Sequence, residues 1–340
     1  MMFIRILLLA FGLLMILAAA EFFTNGIEAV GRRFSFSQAV VGSLFAAVGT
    51  ALPETILPVV AIFMSGGQSA KEIGVGAILG APFMLSTLAF FLVGLTASVA
   101  AARKRRKFEL RVEVHSVRRD MTFFLVMYSL AVLLPLIAGR SVAVPMAFAL
   151  MCGYVLYAWM TFRGESAGIE HAEEMYFWMP ARWFRGSAAA GSPPLSVILL
   201  QVFIALAVMV KGAQVFVGTL GQISLRFGMD PLLFALLLAP VATELPEKFN
   251  SVTWTWKGRD TLAVGNVTGA MVFQSTFPVS VGLFFTDWQI TGMALLSAMI
   301  AILSSLVLLG TILIKKRITP LTMLFSGSLY LIYALVLVFR

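Results

Sequence analysis

Long apolar segments occupy most of this 340-residue chain. A helix needs about 20 mostly apolar residues to cross a bilayer. We predict ten such spans, over residues 3–31, 36–64, 69–99, 121–138, 142–162, 195–225, 230–256, 260–285, 289–313 and 319–339. Only 12% of the residues are charged, against about 25% in soluble domains. The sequence therefore excludes a soluble globular protein and predicts an all-α membrane protein.

Basic residues are concentrated in alternate loops. The loops that follow spans 1, 3, 5, 7 and 9 hold 18 Lys and Arg, and the opposite side holds five. Because cytoplasmic loops carry the excess of Lys and Arg, we predict a multi-pass protein of the cell (inner) membrane with both termini outside the cytoplasm. The net charge of +9 is then a topology signal, and no nucleic-acid partner is expected. The run 103–107 is interpreted as an anchor that faces phospholipids.

The chain contains an internal repeat. Residues 20–54 align without a gap to residues 213–247, with 11 identities in 35 positions. The densest match is a shared Thr-x-Leu-Pro-Glu, which apolar composition alone does not produce. Each unit holds five spans, an odd number, so the second copy is expected to be inverted, as in secondary transporters.

The repeat defines the predicted domains. They are a first repeat over 1–138 with its core at 20–98, a fifth helix with a cytoplasmic interfacial loop over 139–194, and a second repeat over 195–340 with its core at 205–285. In transporters of this kind the substrate lies near the bilayer midplane, between broken helices of the two halves. We expect spans 2, 3, 7 and 8 to be broken.

A Pro-Glu pair stands in the middle of spans 2 and 7. A charged residue at the centre of a membrane helix costs about 2.5–3.5 kcal/mol, and Glu54 and Glu247 occupy equivalent positions of the repeat. Two such residues indicate a cation site. A pair of protonated or salt-bridged structural carboxylates is the alternative.

Further oxygen atoms accompany each carboxylate. Proline has no N–H, so Pro53 and Pro246 each release the carbonyl four residues back in a helix. Thr50 and Thr243 precede the glutamates by four residues and therefore share their helix faces. Carboxylate, hydroxyl and carbonyl oxygens suit hard cations such as Ca²⁺ or Na⁺.

Two glycine pairs recur after the Pro-Glu elements. Gly76 and Gly80 lie in span 3, and Gly265 and Gly269 lie in span 8. Small residues at this spacing allow helix backbones to approach closely. We expect both pairs to allow close packing against the broken helices, and ordinary helix packing would explain the glycines equally well.

Three segments carry a specific resemblance: GTALPE (49–54), ATELPE (242–247) and GNVTGAMVFQ (265–274). They resemble the two alpha-repeats of the sodium/calcium exchanger family, prokaryotic type, within the calcium:cation antiporter superfamily. The resemblance implies ten helices, with spans 2, 3, 7 and 8 around the ions and spans 1 and 6 as a sliding gate. It also implies exchange of Na⁺ for Ca²⁺ by alternating access.

The resemblance also implies a ligand set. Glu54 and Glu247 would be the central ligands, and Thr50 and Thr243 would be further ligands. Carbonyls near Ala47 and Pro240 would complete the coordination of Na⁺ or Ca²⁺.

Several positions depart from the family's pattern. Where the family has polar residues, this chain has Ala51, Ala81, Leu85 and Ala270. Two further positions carry different polar residues, Glu244 in place of Ser and Gln274 in place of Asn or Asp. Glu244 either restores a negative charge or pairs with Lys248, four residues on; the sequence leaves both open.

The leading hypothesis is a Na⁺/Ca²⁺ antiporter without a cofactor. A proton-coupled cation exchanger and a non-transporting homologue are the alternatives, and K⁺ is a further candidate ion. No Gly-x-Ser-x-Gly, His-Glu-x-x-His or phosphate-loop motif occurs, so an enzyme is not expected. The sequence does not define the oligomeric state.

Overall fold

Long helices make up the fold. A computed structural model describes residues 2–34, 46–164, 175–178 and 193–338. The helices are α1 (Met2–Arg33), α2 (Ala46–Phe63), α3 (Gln68–Met84), α4 (Phe90–Ala102), α5 (Val114–Ala138), α6 (Ala143–Gly164), α7 (Leu195–Arg226), α8 (Pro231–Trp256), α9 (Asp260–Gln274), α10 (Phe277–Phe285), α11 (Gly292–Lys315) and α12 (Pro320–Val338). A π-helical turn over Leu85–Ala89 joins α3 to α4. The described residues form no strand beyond one isolated bridge between Leu110 and Ile318.

Seven helical stretches in the described ranges are long and apolar enough to cross a membrane. They are Met2–Val30, Gln68–Ala102, Val114–Thr161, Leu195–Arg226, Asp260–Phe285, Gly292–Lys315 and Pro320–Leu337. The third of these contains both α5 and α6, with a 3-10 turn between them at Gly139–Val142. Two shorter apolar helices cover Ala51–Phe63 and Pro231–Glu244. The all-helical, membrane-spanning class is thus confirmed, and the count of ten spans in two inverted repeats stays a prediction.

The chain divides into two compact units. Unit 1 comprises residues 1–65 and 158–223, and unit 2 comprises residues 66–157 and 224–340. Each unit draws residues from both predicted repeats. The repeat boundaries describe a sequence duplication, and they stay a prediction.

Unit 1 is built on α1, which packs against α2 and crosses α7. At the crossing, a Cβ atom added to Gly12 would lie 2.9 Å from the backbone nitrogen of Phe216 and 3.0 Å from the carbonyl oxygen of Gly212. The two helices therefore touch through their main chains, as small residues allow.

A short 3-10 turn at Tyr176–Trp178 binds α1 and α7 within unit 1. The Tyr176 N–H donates to Asn25 Oδ1 at 3.0 Å, and the Phe177 N–H donates to Gln201 Oε1 at 2.9 Å. The Gln201 side-chain amide in turn donates to Asn25 Oδ1 at 3.0 Å. These bonds hold this part of the predicted 139–194 region on the two helices. Residues 165–174 and 179–192 of that region lie outside the described residues.

Unit 2 is organised around the contact of α3 with α8. Gly76 meets Leu232, and Gly80 meets Leu236. The residue numbers of the contacting positions increase together along α3 and α8, so the two helices run in the same direction. At the end of α3, the Phe83 ring lies 5.1 Å from that of Tyr330 on α12.

The predicted helix breaks are confirmed in one span only. Span 7 is continuous as α8, so the break predicted there is wrong. In span 2, α2 is continuous from Ala46 past two internal prolines, so the predicted break is wrong there too. Residues 36–45 of span 2 lie outside the described residues. A proline lacks one N–H and therefore removes a single backbone hydrogen bond, and the neighbouring hydrogen bonds keep the helix intact. Span 3 contains the π-helical turn instead of a break.

Span 8 is interrupted between α9 and α10. At this point the hydroxyls of Ser275 and Thr276 both donate to the carbonyl oxygen of Val272, at 2.9 and 2.8 Å. Hydroxyl groups thus replace backbone donors, which is how membrane helices tolerate a break. Pro278 lies in the first turn of α10, where a missing N–H costs nothing.

Candidate functional site

Helix α8 carries four of the predicted ligands, Pro240, Thr243, Glu244 and Glu247. Its start is well defined, because the Asp230 side chain accepts from the Leu232 N–H at 2.8 Å and from the Leu233 N–H at 3.3 Å. Such a cap supplies an acceptor for N–H groups of the first turn that have no acceptor within the helix. The four residues then follow on two consecutive turns.

The first glycine pair sets the position of α8. A Cβ atom at Gly76 would overlap the carbonyl oxygen of Leu232, and one at Gly80 would overlap the carbonyl oxygen of Leu236. The Pro240 ring also lies against Gly80, 2.7 Å from the place of its Cβ. The expected close packing is confirmed for this pair, and it fixes the turn of α8 that precedes the acidic residues.

Polar groups after Pro240 on α8 are buried. Thr243 is 3% exposed and Glu244 is 1% exposed. The Thr243 hydroxyl donates to the Ala239 carbonyl at 3.1 Å, and its oxygen retains lone pairs that a cation can use. Lys248 is also buried. Because burying a charge is costly unless it is compensated, this segment of α8 is the place in the helix where electrostatic interactions matter most.

Gln274 is the last residue of α9, directly before the break, and it is buried. Helix α9 packs against α8, and the Asn266 side-chain amide donates to Ser251 Oγ at 3.1 Å. Ser251 lies one turn after Glu247 on α8. Unit 2 therefore places Gln274 on a helix that is joined to the acidic helix.

The other predicted ligands lie in unit 1. Glu54 is buried on α2, and the Thr55 hydroxyl beside it donates to the Ala51 carbonyl at 2.8 Å. Thr50 and Ala47 belong to the first turns of α2. The side chains of Thr50, Ala47 and Glu247 lie outside the described residues. The meeting of the two ligand sets stays a prediction.

Carboxylates alone do not form a metal centre in the part of the chain that the structure describes, since it contains no group of three or more His, Cys, Asp or Glu with suitable placement. A cation site here would need hydroxyl, carbonyl and amide oxygens beside the carboxylates. The predicted set of Thr, main-chain and Gln ligands has this character.

Asp120 is a buried acidic residue outside the predicted ligand set. Its carboxylate accepts from Thr268 Oγ1 at 2.7 Å and from Tyr157 OH at 3.1 Å, and it pairs with Arg119 at 3.3 Å. Thr268 lies between the two glycines of α9. Asp120 therefore ties the second glycine motif to α5 and α6. Hydropathy places the start of span 4 one residue later and so assigns Asp120 to a loop, whereas α5 begins at Val114.

The basic segment after α4 contacts the end of α8 and the start of α9. Both terminal nitrogens of Arg106 bind the Asp260 carboxylate, and Nη1 also donates to the Thr255 carbonyl at 3.0 Å. Arg103 and Arg105 lie over the Trp256 ring, at 5.6 and 5.0 Å. The interpretation of 103–107 as a phospholipid-facing anchor is wrong for Arg106, because Asp260 at the start of α9 provides a buried partner that sequence distance concealed.

Long apolar helices that bury polar side chains among them define a class, the helical multi-pass membrane proteins. The chain belongs to the sodium/calcium exchanger protein family, whose profile matches residues 4–163 and 197–340. This is a family of ion exchangers, and the family predicted from the Pro-Glu motifs is confirmed.

Known relatives are distant but cover nearly the whole chain. CaxA, a provisionally assigned antiporter of Alkalimonas amylolytica, is 23% identical over 95% of this chain and 97% of its own length. The inner membrane protein YrbG of Escherichia coli (strain K12) is 23% identical over 84% of this chain and 82% of its own.

Solved structures show the same fold. The H⁺/Ca²⁺ exchanger CAX superposes with a TM-score of 0.68 at 16% identity, over 97% of this chain and 82% of its own. The sodium–calcium exchanger NCX_Mj superposes with a TM-score of 0.54 at 19% identity, over 98% of both chains. At these identities the likeness concerns the fold alone.

Proposed function

We propose that this protein exports Ca²⁺ in exchange for Na⁺ across the cytoplasmic membrane, by alternating access and with both termini outside the cytoplasm. The observation that carries the proposal is the buried acidic segment of α8 beside the α3 glycines, whose Pro-Glu motif recurs at Glu54 of α2. In this proposal Glu54 and Glu247 are the central ligands. The further ligands are Thr50, Thr243, Glu244, Gln274 and the carbonyls near Ala47 and Pro240.

Charge neutralisation explains why exchange is coupled. An empty site whose carboxylates are not neutralised faces the high cost of moving charge through hydrocarbon. Either Ca²⁺ or Na⁺ lowers this cost, so each ion permits the site to change its exposure and the empty site does not. Helices α1 and α7 act as the sliding gate, which changes the side from which the ligands are reached.

A proton-coupled cation exchanger is the second candidate, because the first repeat has lost ligand oxygens. Leu85 is fully buried and Ala81 is 4% exposed, and neither side chain offers an oxygen atom. Na⁺ needs several oxygens in place of its water shell, whereas a proton needs one carboxylate. The similarity of CAX in fold is consistent with this alternative.

Flux measurements separate the candidates. Purified protein in liposomes is given ⁴⁵Ca²⁺ outside, and outward gradients of Na⁺, H⁺ and K⁺ are imposed separately. We expect uptake with the Na⁺ gradient. Uptake driven only by the pH gradient would establish proton coupling, and the absence of uptake with folded protein would identify a non-transporting homologue.

Glu54→Gln and Glu247→Gln each test the ligand assignment. Both substitutions preserve shape and remove a charge, so we expect ⁴⁵Ca²⁺ uptake to fall at least a hundredfold while the yield of monodisperse protein is kept. Glu113→Gln is the matched control, since Glu113 is an exposed carboxylate in the loop before α5. Uptake at the wild-type rate in both site variants would refute the assignment.

A further inference from the structure

A lysine lies among the acidic residues of α8. Lys248 is 2% exposed and follows Glu244, which is 1% exposed, by four residues. Side chains at this spacing are neighbours on a helix, with Cβ atoms about 5–6 Å apart. A buried ammonium group is tolerated only where negative charge compensates it, and Glu244, one turn earlier on the same helix, is a buried acidic residue in the right place to do so.

Lys211 shows that a lysine within a predicted span need not be buried. It lies in the middle of α7, and its side chain is exposed. A long lysine side chain in that position can extend its charge toward polar surroundings. The burial of Lys248 is therefore a property of its place on α8, and the basic composition of the chain does not account for it.

The charges of the two Pro-Glu helices become equal only when Lys248 is included. On α2 the motif contributes Glu54, a single negative charge. On α8 it contributes Glu244 and Glu247, two negative charges, and Lys248 reduces their sum to one. Glu244 stands where the resembled family has a neutral serine, and Lys248 offsets this additional charge.

We propose that Lys248 is a fixed positive charge that offsets Glu244 and thereby sets how many cation charges the site exchanges. This inference rests on the proposed function, in which Glu54 and Glu247 bind the transported ions. With Lys248 present, the two helices together hold two net negative charges, which either one Ca²⁺ or two Na⁺ neutralise. Without it they hold three, so three Na⁺ occupy the site in one half of the cycle and a single Ca²⁺ in the other, and the Ca²⁺-loaded site keeps one negative charge.

Lys248 differs from a transported ion because it is covalently attached. A Na⁺ bound beside Glu244 would leave the protein in every cycle and would add to the number of ions exchanged. The ammonium group supplies the same charge and stays in place. Lys248 is thus a residue that determines stoichiometry, and it need not touch Ca²⁺.

Four variants test this inference: Lys248→Met, Glu244→Gln, the double variant with both changes, and Lys211→Met as the matched control. In proteoliposomes, the coupling number is the slope that relates the Ca²⁺ gradient to the monovalent-ion gradient at which net ⁴⁵Ca²⁺ flux is zero. We expect Lys248→Met to raise this number by one and Glu244→Gln to lower it by one. The double variant keeps the net charge and is expected to keep the wild-type coupling number, although its flux is slower because the Glu244 ligand is lost. Lys211→Met is expected to keep both the number and the flux.

An unchanged coupling number in Lys248→Met or Glu244→Gln, with folded protein, would overturn the inference and leave the proposed function intact. Where Lys248→Met does not fold, Glu244→Gln and the double variant carry the test.

If wild-type protein carries no Ca²⁺, the proposed function fails, and Ca²⁺ binding to detergent-purified protein becomes the readout. Lys248→Met should then tighten binding, and Glu244→Gln should weaken it, each about tenfold or more because the charge of a buried side chain is little screened. Equal affinities, or no binding in any variant, would overturn the charge assignment.

Discussion

The two glycine pairs have the same spacing in the sequence and different surroundings in the structure. Gly76 and Gly80 of α3 lie against the main chain of α8, where a Cβ atom would overlap carbonyl oxygens. Around Gly265, the described residues place no atom within 4 Å of an added Cβ, and at Gly269 the nearest is Tyr157 OH at 3.7 Å. The predicted close packing is confirmed for the first pair, and the described residues do not show it for the second.

The comparison shows two ways to fix a helix beside a candidate site. Helix α3 is fixed by shape, because removing side chains lets two backbones touch. Helix α9 is fixed by hydrogen bonds, from Thr268 to Asp120 and from Asn266 to Ser251. A repeat motif therefore predicts which helices lie beside the candidate site, but it does not predict which interaction holds each helix in position.

Gly80→Val should have the largest effect of the substitutions that test this contrast. Its Cβ would overlap the Leu236 carbonyl, which belongs to a backbone that cannot move aside, so we expect a loss above about 3 kcal/mol. The yield of monodisperse protein in detergent and its unfolding temperature measure this loss. Gly265→Ala is the control and should change stability by no more than about 1 kcal/mol. Equal losses in both variants would show that the two pairs are packed alike.

Asp120→Asn should have an intermediate effect, since it keeps the side-chain shape and removes the charge that Arg119 and Thr268 bind. We expect a loss of about 1.5–3 kcal/mol, as for hydrogen bonds to charged groups. The unfolding temperatures of Asp120→Asn, Thr268→Val and the double variant are compared in a double-mutant cycle. Additive losses would contradict a shared interaction between α5 and α9.

Ser251→Ala should have the smallest effect, because it removes a single neutral hydrogen bond between α8 and α9. The expected loss of stability is about 0.5–1.5 kcal/mol. Since Ser251 lies one turn after Glu247, the Ca²⁺ affinity should fall more clearly than the unfolding temperature. A changed stability with an unchanged affinity would show that this bond does not position the acidic helix.

Hydropathy predicted the helices well and their boundaries less well. Span 7 was placed at 230–256 and α8 covers Pro231–Trp256, because its ends carry turn residues that hydropathy detects. Span 4 was placed at 121–138, yet α5 begins at Val114. Arg119 and Asp120 satisfy each other inside the protein, and a hydropathy pattern counts such charges as loop residues.

The candidate site was predictable as far as it depends on local chemistry. The Pro-Glu motifs, the threonines one turn earlier and the acidic Glu244 could be named from the sequence alone. The burial of Lys248 and the partners of Asp120 and Arg106 could not, because they depend on residues brought together over long sequence distances. Asp120 and Thr268, for example, are 148 residues apart.

The crossing of α1 and α7 has a mechanical consequence. Knobs of side chains seated in holes make two helices mesh like gears, and displacement requires each knob to leave its hole. Gly12 and Gly212 present bare main chain at the point of contact. This contact has no such knobs, but the hydrogen bonds of Asn25 with Gln201 and with the Tyr176 N–H join the same two helices. A pair that is joined in both ways is stiff, so a displacement of one helix carries the other with it.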